Sequence, residues 1–261
     1  MRLQPATRVT LRDTVIGGPD PVICLPLVAG SKAEVVCQAE ELLQFDPDMV
    51  EWRIDGYDNV DDVADSLAAL QGLREKIGDI PLLFTCRVEA EGGFKPIGAD
   101  TRLKLMQAAI ESGYLDIVDV ELCNEAAFIE RLKDAARHNG IRLILSYHNL
   151  GRTPDEKIIC DKLVQAQEMG ADIAKVAVMP QDVKDVLVLL NATLKARTEY
   201  LKIPIITMSM GPEGRVTRLA GGLFGSDLTF AIGKEASAAG QIPIGALRQA
   251  MDVLYGQTNR K

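Results

Sequence analysis

The sequence predicts an α/β protein folded as a (β/α)8 TIM barrel, with an N-terminal β-hairpin closing the barrel's N-terminal end. Three observations lead there. Short runs rich in β-branched and apolar residues alternate with longer amphipathic stretches from residue 21 onward. The runs restart about every 25 to 33 residues, one strand-loop-helix-loop unit per interval, which implies parallel pairing. A length of 261 residues fits one such barrel. The competing architecture is an open doubly wound sheet, but no G-x-G-x-x-G turn follows the first strand. No linker, low-complexity tract or composition shift divides the chain, so residues 1–261 read as a single domain.

Taken in order, the first 20 residues stand outside the rhythm, and 8–11 followed by 14–18 form the expected hairpin. Eight strands follow at 21–28 (PVICLPLV), 49–55 (MVEWRID), 81–88 (PLLFTCRV), 115–122 (LDIVDVEL), 141–148 (IRLILSYH), 172–179 (DIAKVAVM), 203–210 (IPIITMSM) and 228–233 (LTFAIG). Between them, 33–44, 63–77, 102–111, 126–138, 155–169 and 181–199 repeat apolar residues at three and four, the period of a helix with one buried face. Thr153-Pro154-Asp155-Glu156 marks a helix start, with Thr153 as N-cap, Pro154 in the first turn and two acids at the positive helix end. A last helix follows the small-residue loop at 234–243.

Composition bounds the function. Lys plus Arg total 29 and Asp plus Glu 37, a formal net charge of −8, which argues against a nucleic-acid coat held by positive charge. An acidic ligand therefore has to meet a local basic cluster. No stretch approaches the ~18 apolar residues of a membrane span, and the N-terminus lacks the apolar core of a signal peptide, so the expected location is cytoplasmic, without membrane contact. Five cysteines, at 24, 37, 86, 123 and 160, lie far apart with no C-x-x-C pair to suggest zinc or a redox switch, which predicts that most are small buried hydrophobes in a reducing compartment.

In a barrel the chemistry gathers at the C-terminal ends of the strands. Polar residues interrupt the apolar runs there: Glu51 and Arg53 on one face of the second strand, Arg87 at the end of the third with Glu91 just beyond, Asp119 and Glu121 on the fourth, His148 on the fifth and Lys175 within A-K-V-A-V-M on the sixth. A lysine in an apolar strand is costly unless it is neutral or paired. Two readings stand. Lys175 is an ion-pair partner of Asp119, Glu121 or Glu51, or it is a nucleophilic amine that condenses with a carbonyl, with His148 on the adjacent strand to take a proton. Arg53, Arg87 and Arg218 follow strand ends and form a candidate carboxylate receptor, Arg218 lying after the flexible segment 210–214. The loop 234–243 is either a plain connection or a lid offering Ser237 and Gln241. Gly221, Gly222 and Gly225 lack the Lys and Ser/Thr of a phosphate loop.

Six blocks in order, E-W-R-I-D (51–55), T-C-R-V-E-A-E-G-G (85–93), S-Y-H-N (146–149), A-K-V-A (174–177), M-S-M-G (208–211) with R-x-x-R (215–218), and S-A-A-G-Q-I-P (237–243), make the sequence resemble the type I 3-dehydroquinate dehydratase family of the shikimate pathway. The resemblance runs from Val22 to the last helix. It implies that Lys175 forms an imine with the C3 ketone of 3-dehydroquinate and that His148 removes the C2 proton and helps the C1 hydroxyl leave as water, releasing 3-dehydroshikimate. It also implies that Glu91 orients His148, that Glu51, Arg53, Arg87, Arg218, Ser237 and Gln241 hold substrate with Arg218 on its carboxylate, and that Met210 packs beside the imine. A homodimer without cofactor or metal is implied as well. Leu150, two positions after the histidine, stands where the family often has an aromatic residue. The alternatives are another class I Schiff-base barrel of aldolase type and a non-catalytic ligand-binding barrel.

Overall fold

The computed structural model describes residues 2–234 and 238–256. The chain opens with an antiparallel hairpin, β1 (Val9–Leu11) and β2 (Thr14–Ile16), turning through Arg12 at φ 51. There follow β3 (Val22–Leu27), α1 (Lys32–Leu43), β4 (Met49–Arg53), α2 (Val63–Ile77), β5 (Leu82–Thr85), α3 (Ala99–Glu111), β6 (Ile117–Glu121), α4 (Ala126–His138), β7 (Arg142–Asn149), α5 (Glu156–Glu168), β8 (Ile173–Val178), α6 (Val183–Lys195), β9 (Ile205–Ser209), α7 (Arg215–Phe224), β10 (Leu228–Ile232), β11 (Ile242–Pro243) and α8 (Ile244–Tyr255). Strands β3 to β9 pair in chain order, all parallel, and β10 pairs parallel with β3. Each expected barrel strand is a strand. The short β11 adds to β10 at Ala231 and Ile232.

Side chains close the seam between β9 and β10, where no ladder forms among the described residues. The Asp227 N–H donates to Ile205 O at 2.7 Å, the Ile205 N–H donates to Asp227 Oδ2 at 2.7 Å, and the Thr207 N–H donates to Ser226 Oγ at 3.1 Å. A carboxylate and a hydroxyl thus accept where strand carbonyls would, so the backbone donors are not orphaned. Arg2 and Arg197 both pair with the buried Asp227 from the N-terminal side.

Two apolar layers result. The outer one lies between strands and helices and includes Trp52, which meets Tyr57 and Phe84 edge-on at 5.8 and 5.7 Å between ring centroids. The inner one fills the barrel: Val9, Leu11 and Ile16 of the hairpin pack in one cluster with Met49, Leu83, Ile117, Ile144, Ile173 and Ile206. The hairpin therefore plugs the N-terminal end as the sequence predicts, each fully buried side chain contributing about 1.5–3 kcal/mol.

Two local expectations change. Helix α5 starts at Glu156 after Asp155, and Thr153 is not its N-cap; the Thr153 hydroxyl donates to Met179 O at 3.1 Å, because a carbonyl at the end of β8 lies within its reach. Segment 210–214 is a close-packed turn leading into α7, a helix that the sequence hides behind its glycines. Gly222 sits inside α7 because a Cβ there would stand 2.5 Å from Pro21 Cγ and 2.7 Å from Tyr255 Oη.

Candidate active site

Alternate residues of each strand face the barrel interior. Above the apolar floor of Met49, Leu83, Ile117, Ile144 and Ile173, the next inward residue on each strand is Glu51, Thr85, Asp119, Ser146 and Lys175, all buried. Two residues further on, the strand ends and their extensions present Arg53, Arg87, Glu121 and His148. Burial forces these groups to find one another. Glu51 accepts from Thr85 Oγ1 at 2.8 Å, and Lys175 Nζ stands 2.7 Å from Asp119 Oδ2 and 4.9 Å from the centre of the Phe230 ring. Of the three carboxylates that the sequence offered to Lys175, Asp119 is the one that pairs with it.

Arg87 bridges the network. Its Nη1 donates to Glu121 Oε1 at 2.8 Å and Ser146 Oγ at 2.9 Å, and its Nη2 to Asp119 Oδ2 at 2.9 Å, while Arg102 of α3 pairs with Glu121 at 3.2 Å. Burial alone would raise the Asp119 carboxyl; Arg87 and Lys175 overcome it and hold the group well below the usual carboxylate range. Arg53 is likewise engaged, fork to fork with buried Asp55 at 2.9 and 2.7 Å, while its guanidinium lies 4.9 Å from the Phe94 ring centre.

The β5 strand ends at Thr85, so the following loop carries Glu91 across to β7. Glu91 Oε2 accepts the His148 backbone N–H and meets His148 Nδ1, both at 2.9 Å. Burial pushes the Glu91 carboxyl up to about 7. Burial, with Arg87 and Lys175 nearby, pushes His148 well below its ordinary value, so the ring is neutral. With Nδ1–H assigned toward Glu91, Nε2 is the acceptor that remains for chemistry.

Arg218, on the first turns of α7, is 2% exposed. Its Nη atoms reach Ala239 O at 3.1 Å, Phe230 O at 3.4 Å and Met208 Sδ at 3.7 Å; among the described residues no carboxylate pairs with it. Burial pushes it down to about 10. A buried cation without a counter-charge is an anion receptor.

Glu51, Arg53, Arg87, Glu91, His148, Lys175, Met210, Arg218 and Gln241 all line one cavity of about 230 Å³, below the roughly 300–1,000 Å³ typical of drug-sized ligands. Ser237 lies outside the described residues. Ala238 and Ala239 also border the cavity, and the Gly211 N–H donates to Ala239 O at 3.3 Å, so this part of the 234–243 loop lies over the pocket. Leu150 borders it too, packed on Gly92.

Sequence reasoning missed Asp55, Phe230 and Met208. Asp55 organises the mouth, accepting from Arg53 and from the backbone N–H groups of Arg87 at 3.3 Å and Phe94 at 3.1 Å; its signal was its place in E-W-R-I-D. Phe230 and Met208 read as plain core residues, and only barrel closure brings them to the cavity that holds the lysine.

A buried amine beside a neutral imidazole, at the C-terminal end of a parallel barrel and in one cavity with an arginine that meets no carboxylate among the described residues, defines a small-molecule barrel enzyme of the amine–carbonyl class. Residues 23–258 match the type I 3-dehydroquinase model, and the chain belongs to that family. A 3-dehydroquinate dehydratase of Albidiferax ferrireducens is 46% identical over 241 residues, 92% of this chain and 91% of that one. The crystal structure of the Geobacillus kaustophilus 3-dehydroquinate dehydratase superposes with a TM-score of 0.95 at 42% identity, covering 99% of this chain and 100% of that one. That of the Clostridium difficile type I enzyme, with covalent modified comenic acid, gives 0.93 at 39%, covering 97% and 99%.

Proposed function

We propose that this chain dehydrates 3-dehydroquinate to 3-dehydroshikimate through an imine on Lys175, as a hydro-lyase of aromatic biosynthesis. The observation behind it is one cavity holding a buried lysine, a neutral histidine and an arginine that no carboxylate pairs with among the described residues, in a chain of the type I 3-dehydroquinase family. Lys175 attacks the ketone. His148 Nε2 takes the C2 proton and returns it to the departing C1 hydroxyl, while Glu91 holds the imidazole in the tautomer that makes this possible. Arg218 receives the substrate carboxylate. Glu51, Arg53, Arg87 and Gln241 contact its hydroxyls, Ser237 joins them by family resemblance, and Met210 packs beside the imine.

The chain acts as one barrel domain in a cytoplasmic homodimer on this reading. Five unpaired cysteines are consistent with a reducing compartment, and no described helix is long and apolar enough to cross a membrane. The homodimer rests on family resemblance.

The contact between Lys175 and Asp119 is also what a non-catalytic barrel would use. Borohydride reduction in the presence of 3-dehydroquinate decides between them: the expected result is a mass increase on the peptide containing Lys175, absent in Lys175→Ala. An unmodified wild-type peptide removes the imine mechanism.

A further inference from the structure

Asp119 is bound more firmly than a simple partner for a lysine needs. Ser146 Oγ donates to its Oδ1 at 2.5 Å, Arg87 reaches Oδ1 at 3.3 Å and Oδ2 at 2.9 Å, and the residue is wholly buried. These three contacts do not involve Lys175, so the carboxylate is fixed in place whatever state the amine is in. The other charged groups around it have their own partners. Glu121, on the same strand, is shared between Arg87 and Arg102; Glu51 on β4 accepts from Thr85; His148 on β7 is held by Glu91; Arg53 faces Asp55; and Arg218 on α7 contacts carbonyl oxygens and a thioether. Among the described residues, Asp119 is the carboxylate that touches Nζ.

We propose that Asp119 is the preorganised counter-ion of the imine at Lys175: it aims Nζ at the cavity and keeps the imine nitrogen protonated while the adjacent carbon loses its proton. This rests on the nucleophile reading above. The neutral amine adds to the ketone carbon, the ketone oxygen leaves as water, and the resulting C=N–H⁺ donates to Asp119 Oδ2. His148 takes the proton from the adjacent carbon; the C–H electron pair becomes a C=C bond and the C=N pair moves onto nitrogen, giving a neutral enamine. The enamine pushes that pair back and expels the β-hydroxyl, which leaves as water with the proton His148 carried, and the nitrogen is again a cation. Water then hydrolyses the imine to return the amine.

Nitrogen is thus positive, neutral and positive in turn. A fixed anion beside it favours both charged states, so the iminium does not shed its proton and remains an electron sink. Arg87 shares the same carboxylate, which weakens the pull enough for the neutral enamine to be reached. On this account Arg87 is also a positioning residue, acting on the lysine through Asp119.

The test is Asp119→Asn in the full chain, with kcat and KM for 3-dehydroquinate, the borohydride adduct, and thermal melting as a check of folding. The expected result is a kcat lower by about 100-fold or more with KM changed by less than about fivefold, while the adduct on Lys175 still accumulates on long incubation. Asp119→Glu restores part of the lost kcat. A kcat for Asp119→Asn within about threefold of wild type overturns the proposal. So does loss of adduct in the same proportion as kcat, which makes Asp119 a structural partner only. If Asp119→Asn does not fold, Ser146→Ala decides: removal of that hydroxyl lowers kcat about 3- to 10-fold with the adduct retained, and an unchanged kcat overturns the proposal. Failure of wild-type protein to form any adduct sinks the nucleophile reading and this inference with it, whereas normal wild-type trapping with a fully active Asp119→Asn sinks this inference alone.

Discussion

Replacing Arg218 with methionine separates substrate recognition from stability. The guanidinium is buried, and among the described residues its Nη groups reach two carbonyl oxygens and a thioether sulfur while Nε has no partner. Among the described residues no carboxylate compensates its positive charge. A charge-assisted contact to a carboxylate contributes about 1.5–3 kcal/mol. At about 1.4 kcal/mol per tenfold, its loss raises KM roughly 10- to 150-fold. Because the carboxylate is held alike before and during the reaction, kcat should change little. Stability should hold or rise, since a buried charge that meets no carboxylate among the described residues is a cost and methionine fills similar volume beside Met208. Steady-state kinetics with 3-dehydroquinate and a melting curve on the same preparation measure both. A KM within about twofold of wild type refutes the carboxylate assignment. A variant destabilised by more than about 3 kcal/mol would instead make Arg218 an anchor for Ala239 and Phe230.

Four more predictions bear on the site and the barrel. Because burial raises Glu91 to about 7, it is the carboxylate that serves His148 above that pH, and turnover falls as pH drops through 7; Glu91→Gln removes that limb from a plot of log kcat against pH, and a limb that persists belongs to another group. The same raised value means the folded chain holds that proton more tightly than the unfolded chain, so stability contributed here declines as pH rises from 4.5 to about 7, a slope absent from unfolding curves of the Gln variant. His148→Ala lowers kcat by about 10²–10⁴ while the borohydride adduct on Lys175 still forms, and full activity in that variant removes His148 from proton transfer. Asp227→Ala leaves Arg2 and Arg197 buried without their shared partner and opens the seam at Ile205, costing about 3–5 kcal/mol in urea unfolding; a loss under about 1 kcal/mol would show the seam closes without it.

Much of the site was legible because the barrel converts a period of two into a wall. Met49-Glu51-Arg53, Ile117-Asp119-Glu121 and Ile173-Lys175-Ala177 each read as floor, middle and rim once the strands are known to be parallel. The N-cap expectation at Thr153 failed for the opposite reason: a hydroxyl chooses among all carbonyls within reach, and the one at Met179 lies just past the end of β8, remote in sequence. Helix α7 was hidden because Gly221 and Gly222 lower helix propensity locally, while the packing of Pro21 and Tyr255 that requires a glycine is remote in sequence.

By itself the sequence determined the eight barrel strands, their parallel order, the hairpin plug and most of the polar groups that line the pocket, since periodicity and residue type are local properties of the chain. The tertiary structure decided which charges cancel. By residue type and placement alone Arg53, Arg87 and Arg218 were equivalent as candidates for a carboxylate, and only family resemblance favoured Arg218; in the structure Arg53 is taken by Asp55 and Arg87 by Asp119 and Glu121, which leaves Arg218 open among the described residues. Lys175 likewise had three possible partners and meets Asp119. Pairing inside a barrel depends on strand register and on distances across the interior, and desolvation makes each choice count, so no reading of one strand at a time contains it.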